Sequence, residues 1–130
     1  MEIVVKQEQG RVPVTVFHLI GDLTTDEVLQ SRAEQAFREG MRNLLIDLSE
    51  VPLVNSTGLR ALHEIFILLR GDTPGESAQA VKAGINAGTF TSPHLKLYNP
   101  SKHVLDVLKV TGYDMFLEIY QDYRQALNSF

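Results

Sequence analysis

The stretch from residue 43 to residue 69 constrains the fold more than any other part of the chain. It opens with the apolar run 44–46, ends that run at Asp47, and continues after a connection at 48–54 into a pattern with helical spacing. The apolar residues of this pattern recur at steps of three and four and so share one helix face: Leu59, Leu62, Ile65, Phe66 and Leu69. We predict a strand, a loop and a helix.

A polar cluster, Asn-Ser-Thr-Gly at residues 55–58, lies where this helix should begin. Asn55 or Ser56 is the expected N-cap, because the side-chain oxygen of either can accept a hydrogen bond from a free backbone N–H one turn on. The helix dipole and the unpaired N–H groups also favour negative charge there. A phosphate on Ser56 would lie where the backbone tolerates an anion, and a plain helix cap is the alternative interpretation of the same hydroxyl.

Upstream of this stretch the pattern predicts a hairpin and a helix. The hairpin covers residues 3–20, and Pro13 should either face an unpaired side or lie at a strand start, because it cannot donate to a strand ladder. The helix should open with a capping box in which Thr24 is the N-cap and Glu27 reaches back to it. Gly40 supplies its end.

Downstream, residues 71–94 interrupt the alternation of apolar patterns, since they are rich in Gly, Ala, Ser and Thr. A connection of this length inside a compact domain is uncommon, so we predict an inserted flexible loop, with or without a role of its own. A strand at 95–98, a helix closed by Gly112, a strand at 115–119 and a short amphipathic helix should follow. The whole predicts an α/β fold: a mixed, mostly parallel five-stranded sheet with an N-terminal hairpin and about four helices.

Composition narrows the classes of function. A chain of 130 residues is expected to form a single domain, 1–130. It has no cysteine and a net charge of −4, which argues against thiolate zinc sites, cysteine nucleophiles and general nucleic-acid binding. No apolar run reaches the roughly 20 residues of a membrane span, and no signal peptide is evident. The four histidines lack metal-ligand spacing, and no phosphate-binding loop or nucleophile elbow is present. We expect no cofactor and no metal.

The sequence IDLSEVPLVNSTGLRAL at residues 46–62 resembles the signature of STAS domains, the anti-sigma factor antagonist family. The family pattern is a strand, Asp-Leu-Ser, an apolar loop, and Asp-Ser-Ser/Thr-Gly-Leu opening a helix. The first serine of that cluster is the family's phosphoacceptor and corresponds to Ser56. This sequence departs at Asn55, where the family commonly has Asp, and at Thr24, where it has Asp after Gly-Asp-Leu.

The resemblance implies a cytoplasmic, non-enzymatic anti-sigma factor antagonist. Such a module captures an anti-sigma factor of the serine-kinase type and thereby frees a sigma factor. Phosphorylation of Ser56 by that kinase would break the complex, and a PP2C-type phosphatase would restore it. The positions implied to bind the partner or support the phosphosite are Asp22, Thr24, Asp47, Val54, Asn55, Thr57 and Gly58. The apolar loop residues Val51, Leu53 and Val54 either contribute to the docking surface or bury the loop.

Other functions remain open from the sequence. A stand-alone STAS subunit can also belong to a transporter ATPase complex or a stress-signalling assembly, in which case Ser56 would be an interface residue. A small enzyme or nucleotide-binding protein could use Asp22, Asp47 and Ser56, since polar groups at strand ends of open α/β sheets often bind ligands. The oligomeric state is open as well.

Overall fold

A five-stranded sheet forms the centre of the computed structural model, which describes residues 1–25, 27–70 and 92–130. The strands are β1 (Glu2–Gln9), β2 (Pro13–Ile20), β3 (Leu44–Glu50), β4 (Leu95–Tyr98) and β5 (Glu118–Tyr120), and they lie in the order β1-β2-β3-β4-β5. β1 and β2 are antiparallel, and every other neighbouring pair is parallel. The predicted mixed, mostly parallel sheet with an N-terminal hairpin is confirmed.

Four α-helices surround this sheet in the described ranges. They are α1 (Glu27–Arg38), α2 (Ser56–Arg70), α3 (Lys102–Val110) and α4 (Tyr123–Leu127), and a 3₁₀ turn at Tyr113–Met115 precedes β5. The apolar faces of α1, α2 and α3 pack on one side of the sheet, and α4 packs on the other. None of the helices in the described ranges has both the length and the apolar character that crossing a membrane requires.

The alternation of side chains along β3 explains why the protein has two cores. Leu44, Ile46 and Leu48 point to the larger core under α1, α2 and α3, whereas Leu45 points to the smaller core under α4. Successive side chains of a strand point to opposite faces, so Asp47 lies on the α4 side together with Leu45. All the leucines and the isoleucine of this run are essentially inaccessible to solvent.

A buried lysine ties the C-terminal segment to the smaller core. Lys96 is 3% exposed, and its Nζ donates to the carbonyl oxygen of Ser129 at 2.9 Å and lies 3.5 Å from Oε1 of Glu118. The same ammonium group lies over the rings of Tyr120 and Phe130, at 5.7 and 5.1 Å from their centroids. The charge is thus compensated by a carbonyl, a carboxylate and two π faces.

Three boundaries differ from the sequence predictions. α1 begins at Glu27, so Glu27 is its first residue rather than the third that a Thr24 cap requires, and Asp26 lies outside the described residues. β3 runs to Glu50 rather than ending at Asp47, because its polar end still pairs with β2. Met115 belongs to the 3₁₀ turn and not to a strand, because Gly112 enters the left-handed region at φ 81° and the chain turns again before β5.

Other boundaries are confirmed. β4 has the predicted bounds 95–98, Pro13 begins β2, and Gly112 follows α3. Gly40 follows α1 with φ 108°, in the left-handed region typical of a helix end. Most of the predicted insertion at 71–94, namely residues 71–91, lies outside the described residues.

Candidate functional site

Asn55 caps helix α2 and makes Ser56 its first residue. Oδ1 of Asn55 accepts a hydrogen bond from the backbone N–H of Gly58 at 2.9 Å, and the Asn55 carbonyl accepts from the N–H of Leu59 at 2.9 Å. This arrangement decides between the two predicted caps in favour of Asn55. Ser56 itself is exposed, so its hydroxyl lies at the positive end of the helix dipole with access to solvent.

The loop before α2 is fastened to the segment that follows β2. The N–H of Gly21 donates to the carbonyl of Glu50 at 3.0 Å, and the N–H of Leu23 donates to that of Leu53 at 2.8 Å. The Leu23 carbonyl in turn accepts from the N–H of Asn55 at 3.3 Å. Two segments far apart in sequence are therefore joined beside Ser56.

The glycine of the Asn-Ser-Thr-Gly cluster permits this junction. A Cβ atom on Gly58 would lie 2.1 Å from the carbonyl oxygen of Leu23 and 2.8 Å from its Cγ. Real side chains never approach a backbone oxygen so closely, hence only glycine allows the first turn of α2 to rest on Leu23. Gly58 therefore positions the helix start, whereas it offers no side chain to a partner.

The exposed part of this surface is small and mixed in polarity. Asp22, Asn55 and Ser56 are exposed, Thr24 and Thr57 are half-buried, and Leu53 is an exposed apolar side chain at 41%. Val51 and Val54 are 1% and 5% exposed and belong to the larger core. Of the three apolar loop residues, only Leu53 is thus available to a partner, and the two valines bury the loop.

Asp47 does not join this surface. Its side chain, on the α4 side of the sheet, accepts hydrogen bonds from the backbone N–H and the hydroxyl of Ser49 through Oδ1, at 2.9 and 2.7 Å. Its Oδ2 pairs with Nδ1 of His18 at 2.7 Å. The sequence led us to expect Asp22, Asp47 and Ser56 together at one edge of the sheet. For Asp47 this expectation is wrong, because strand alternation turns its side chain away from α2. The Asp-Leu-Ser motif here forms a local hydrogen-bonded pair within β3, between the Asp47 carboxylate and Ser49.

The partner of Asp47 is His18, which no motif of the sequence singles out. His18 is held between two carboxylates: Nδ1 faces Asp47, and Nε2 contacts Oε2 of Glu50. Its side chain is 17% exposed. The hydrogen bond with Asp47, followed by that with Glu50, raises the pKa of His18 above its ordinary 6.5 and outweighs the opposing effect of burial. Since an ionised carboxylate can only accept, both ring nitrogens donate only in the imidazolium form.

A metal ion or small ligand commonly binds at one of two kinds of site, a cluster of metal-binding side chains or a cleft. Within residues 1–25, 27–70 and 92–130, no group of His, Cys, Asp or Glu side chains has a geometry that could hold a metal ion. An open cleft of about 730 Å³ lies at the other end of the sheet, where β2 and β3 begin, and Thr15, Arg32 and Asn43 are among its lining residues.

Comparisons with known proteins identify a matching family model and solved structures of similar fold. The model of the STAS domain family matches residues 4–72. A comparison with curated protein sequences finds no significant match.

Solved structures of other proteins share this fold. A protein of Thermotoga maritima assigned as an anti-sigma factor antagonist has a TM-score of 0.66 and 19% identity, over 96% of this chain and 91% of that chain. An anti-sigma factor antagonist from Mycobacterium paratuberculosis has a TM-score of 0.65 and 18% identity, over 98% and 92%. The anti-sigma factor antagonist SpoIIAA, in its unphosphorylated form, has a TM-score of 0.61 and 12% identity, over 96% and 93%.

Proposed function

This chain belongs to the STAS domain family, and on that premise we propose that it is an anti-sigma factor antagonist switched by phosphorylation of Ser56. Unphosphorylated, it captures an anti-sigma factor of the serine-kinase type in the cytoplasm and so frees a sigma factor for transcription. It acts by binding and not by catalysis. The observation that carries the proposal is the exposed Ser56 hydroxyl at the capped start of α2.

The switch follows from the charge that phosphorylation adds. A phosphoserine carries about −1.5 to −2 charges at neutral pH together with strong acceptor oxygens. The free N–H groups of the first turn tolerate that charge, so the fold need not change. A partner that packs over Ser56 and the exposed Leu53 must instead strip water from the phosphate, which is costly unless the partner supplies cations. Asp22, which is also exposed, adds charge of the same sign to this end of the domain.

Asn55 decides how the switch operates. Its Oδ1 is the helix cap, a role that the family's usual aspartate would fill equally well. Asparagine lacks the negative charge of aspartate. An aspartate at this position would repel the incoming phosphate, but it would also be able to orient the Ser56 hydroxyl in the active site of the kinase. We therefore expect Ser56 to be a substrate whose modification rate changes in Asn55→Asp. Failure of the wild type to be modified would make the chain a constitutive binder.

The first experiment follows phosphorylation. The purified protein is incubated with ATP and a serine-kinase anti-sigma factor from the same genome, and the modified position is mapped by mass spectrometry over time. The proposal expects one phosphate, on Ser56, and its removal by a PP2C-type phosphatase. Rapid stoichiometric modification eliminates the constitutive version, whereas modification of another serine contradicts the assignment.

The second experiment measures binding by calorimetry. Ser56→Asp should weaken the complex about tenfold or more, because a carboxylate must then be desolvated in the interface, whereas Ser56→Ala should bind as the wild type does. Ser101 offers a matched control: it caps α3 through a hydrogen bond from the N–H of Val104 at 3.3 Å, and Ser101→Asp should leave affinity unchanged. Equal affinity of Ser56→Asp and the wild type would remove the switch.

Affinity purification separates this proposal from the other roles of the family. Recovery of a kinase-type anti-sigma factor supports it. Recovery of an ABC-type ATPase instead would identify the chain as a subunit of a transporter complex.

A further inference from the structure

β1 is a long strand at the edge of the sheet. It spans Glu2–Gln9, and in the described part of the chain it pairs with β2 alone. The opposite edge, β5, has only three residues. An edge strand presents a row of N–H and C=O groups that can pair with another strand, so β1 offers eight residues of backbone as a template.

The side chains of β1 include exposed apolar residues of the kind that an interface would bury. Val4 and Val5 are 39% and 40% exposed, one on each face of the sheet, and Glu2 and Lys6 flank them on the face of Val4. This strand carries a short apolar centre between opposite charges, and the two charges are four residues apart.

We propose that this edge binds a second copy of the chain, with the two β1 strands antiparallel about a two-fold axis that passes beside Val4. The proposal is independent of the role of Ser56. The interface is isologous: each copy contributes the same strand. Pairing would join the two sheets into one continuous ten-stranded sheet by the strand-addition mode that edge strands commonly use.

Geometry restricts the possible registers. In an antiparallel pair, the side chains of directly opposite residues lie on the same face of the sheet. The backbone N–H and C=O groups of two opposite residues either both point towards the partner strand or both point away from it. Even-numbered residues of one copy must therefore face even-numbered residues of the other. Each permitted two-fold register accordingly has one residue of β1 that faces itself, and the registers differ in which residue that is.

Charge complementarity selects Val4 as that residue. With Val4 opposite itself, Glu2 faces Lys6 of the second copy, twice by symmetry, and Ile3 faces Val5. With Val5 opposite itself, Glu2 would face Glu8, which brings like charges together. Opposite charges across a strand pair stabilise it and like charges destabilise it.

A register centred on Gln7 would also pair Lys6 with a glutamate, namely Glu8. However, the Glu8 carboxylate already accepts a hydrogen bond from the hydroxyl of Tyr123 at 2.8 Å. That register would further leave Val4 outside the paired segment. The Val4 register is therefore the one in which both the charges and the apolar residues find partners.

A charge-swap experiment tests the register. Sedimentation velocity over a range of concentrations gives the dimer dissociation constant of the full chain. Glu2→Lys and Lys6→Glu should each weaken the dimer about tenfold or more, because each places like charges opposite each other at two symmetric positions. The double variant Glu2→Lys/Lys6→Glu restores both pairs and should regain the wild-type dissociation constant.

A monomer at every concentration tested would overturn the proposal. A dimer that is equally stable in both single variants would overturn it as well, since self-association would then use another surface. Circular dichroism confirms that each variant is folded before its association is compared.

A cysteine experiment tests the same contact without altering charge. The natural chain has no cysteine, so an introduced one can form a disulfide only between copies. Val4→Cys places the two thiols directly opposite each other and should give a covalent dimer under mild oxidation. Val110→Cys is the control, because Val110 is 87% exposed on α3 and its thiol would meet a second copy only by collision. Equal cross-linking of the two variants contradicts the proposed interface.

Discussion

Replacing His18 with glutamine tests the claim that β2 and β3 are joined by a charged imidazolium. In the wild type both ring nitrogens face carboxylates, those of Asp47 and Glu50. Glutamine keeps a planar polar group of similar reach, yet it does not titrate. The variant therefore removes the charge while it preserves the possibility of one hydrogen bond to Asp47.

The sign of the pH dependence follows from the direction of the pKa shift. The pKa of His18 is raised above 6.5 in the folded protein, so the folded state binds the proton more tightly than the unfolded state does. The stabilisation is therefore fully present below about pH 6.5 and is lost as the pH rises through the higher folded pKa. Acidification from pH 9 to pH 6 should favour the wild type over the variant.

The magnitude follows from the exposure of the two carboxylates. Asp47 has a side chain 11% exposed, and a hydrogen bond between charged groups in such surroundings contributes about 1.5–3 kcal/mol. The Glu50 side chain is 58% exposed, so solvent reduces its contribution to about 0.2–1 kcal/mol. At high pH a hydrogen bond from the neutral imidazole to the charged Asp47 carboxylate survives, and it is worth about 1.5 kcal/mol. The difference between wild type and variant should thus shrink by about 1 kcal/mol from pH 6 to pH 9.

Urea denaturation at a series of pH values measures this difference. The free energy of unfolding of the wild type minus that of His18→Gln isolates the histidine, because the other titrating groups are common to both proteins. His103→Gln, at an exposed residue of α3, is measured in parallel as the control for the loss of a histidine. A difference for His18→Gln that is the same at pH 6 and pH 9 would refute the imidazolium bridge.

Substitutions at three further positions test the structure around Ser56 and the C-terminal segment. Asn55→Ala removes the cap and should lower the free energy of unfolding by about 1 kcal/mol, whereas Asn55→Asp keeps the acceptor and should not; urea denaturation measures both. Gly58→Ala should lower the free energy of unfolding by about 2 kcal/mol in the same assay, because its Cβ would meet the Leu23 carbonyl. This loss should exceed the gain from the better helix propensity of alanine. Unchanged stability would mean that Leu23 can move away from α2 without cost. Lys96→Met removes the hydrogen bond to the Ser129 carbonyl. Amide hydrogen exchange in α4 should therefore become about tenfold faster, while exchange in α2 stays the same. Equal acceleration in both helices would contradict a local role of Lys96.

Local signals explain which parts of the fold could be predicted from sequence. The run 95–98 has Leu95, Leu97 and Tyr98 around a single lysine and lies between Pro93 and Pro100, so its limits could be predicted to the residue. The polar end of β3, Ser49 and Glu50, gave no such signal, because its strand geometry comes from pairing with β2. Pairing between strands is a tertiary property, and it overrides local propensity.

The candidate site divides in the same way. That either Asn55 or Ser56 caps α2 follows from residue types at a helix start, which is a local pattern. The orientation of Asp47 does not, because it depends on which face of the sheet α2 covers. His18 is 29 residues from Asp47 in sequence, and no motif connects them. Only the parallel register of β2 and β3 brings them together.

The strand order has a consequence for synthesis on the ribosome. In the described sheet each strand neighbours the one made just before it, and the chain emerges N-terminus first at about 5–20 residues per second. Every new strand therefore finds its docking partner already outside the exit tunnel, and none has to be threaded between two strands that have already paired. Vectorial growth from the hairpin towards β5 thus adds each new strand at one growing edge, while β1 stays the opposite edge throughout.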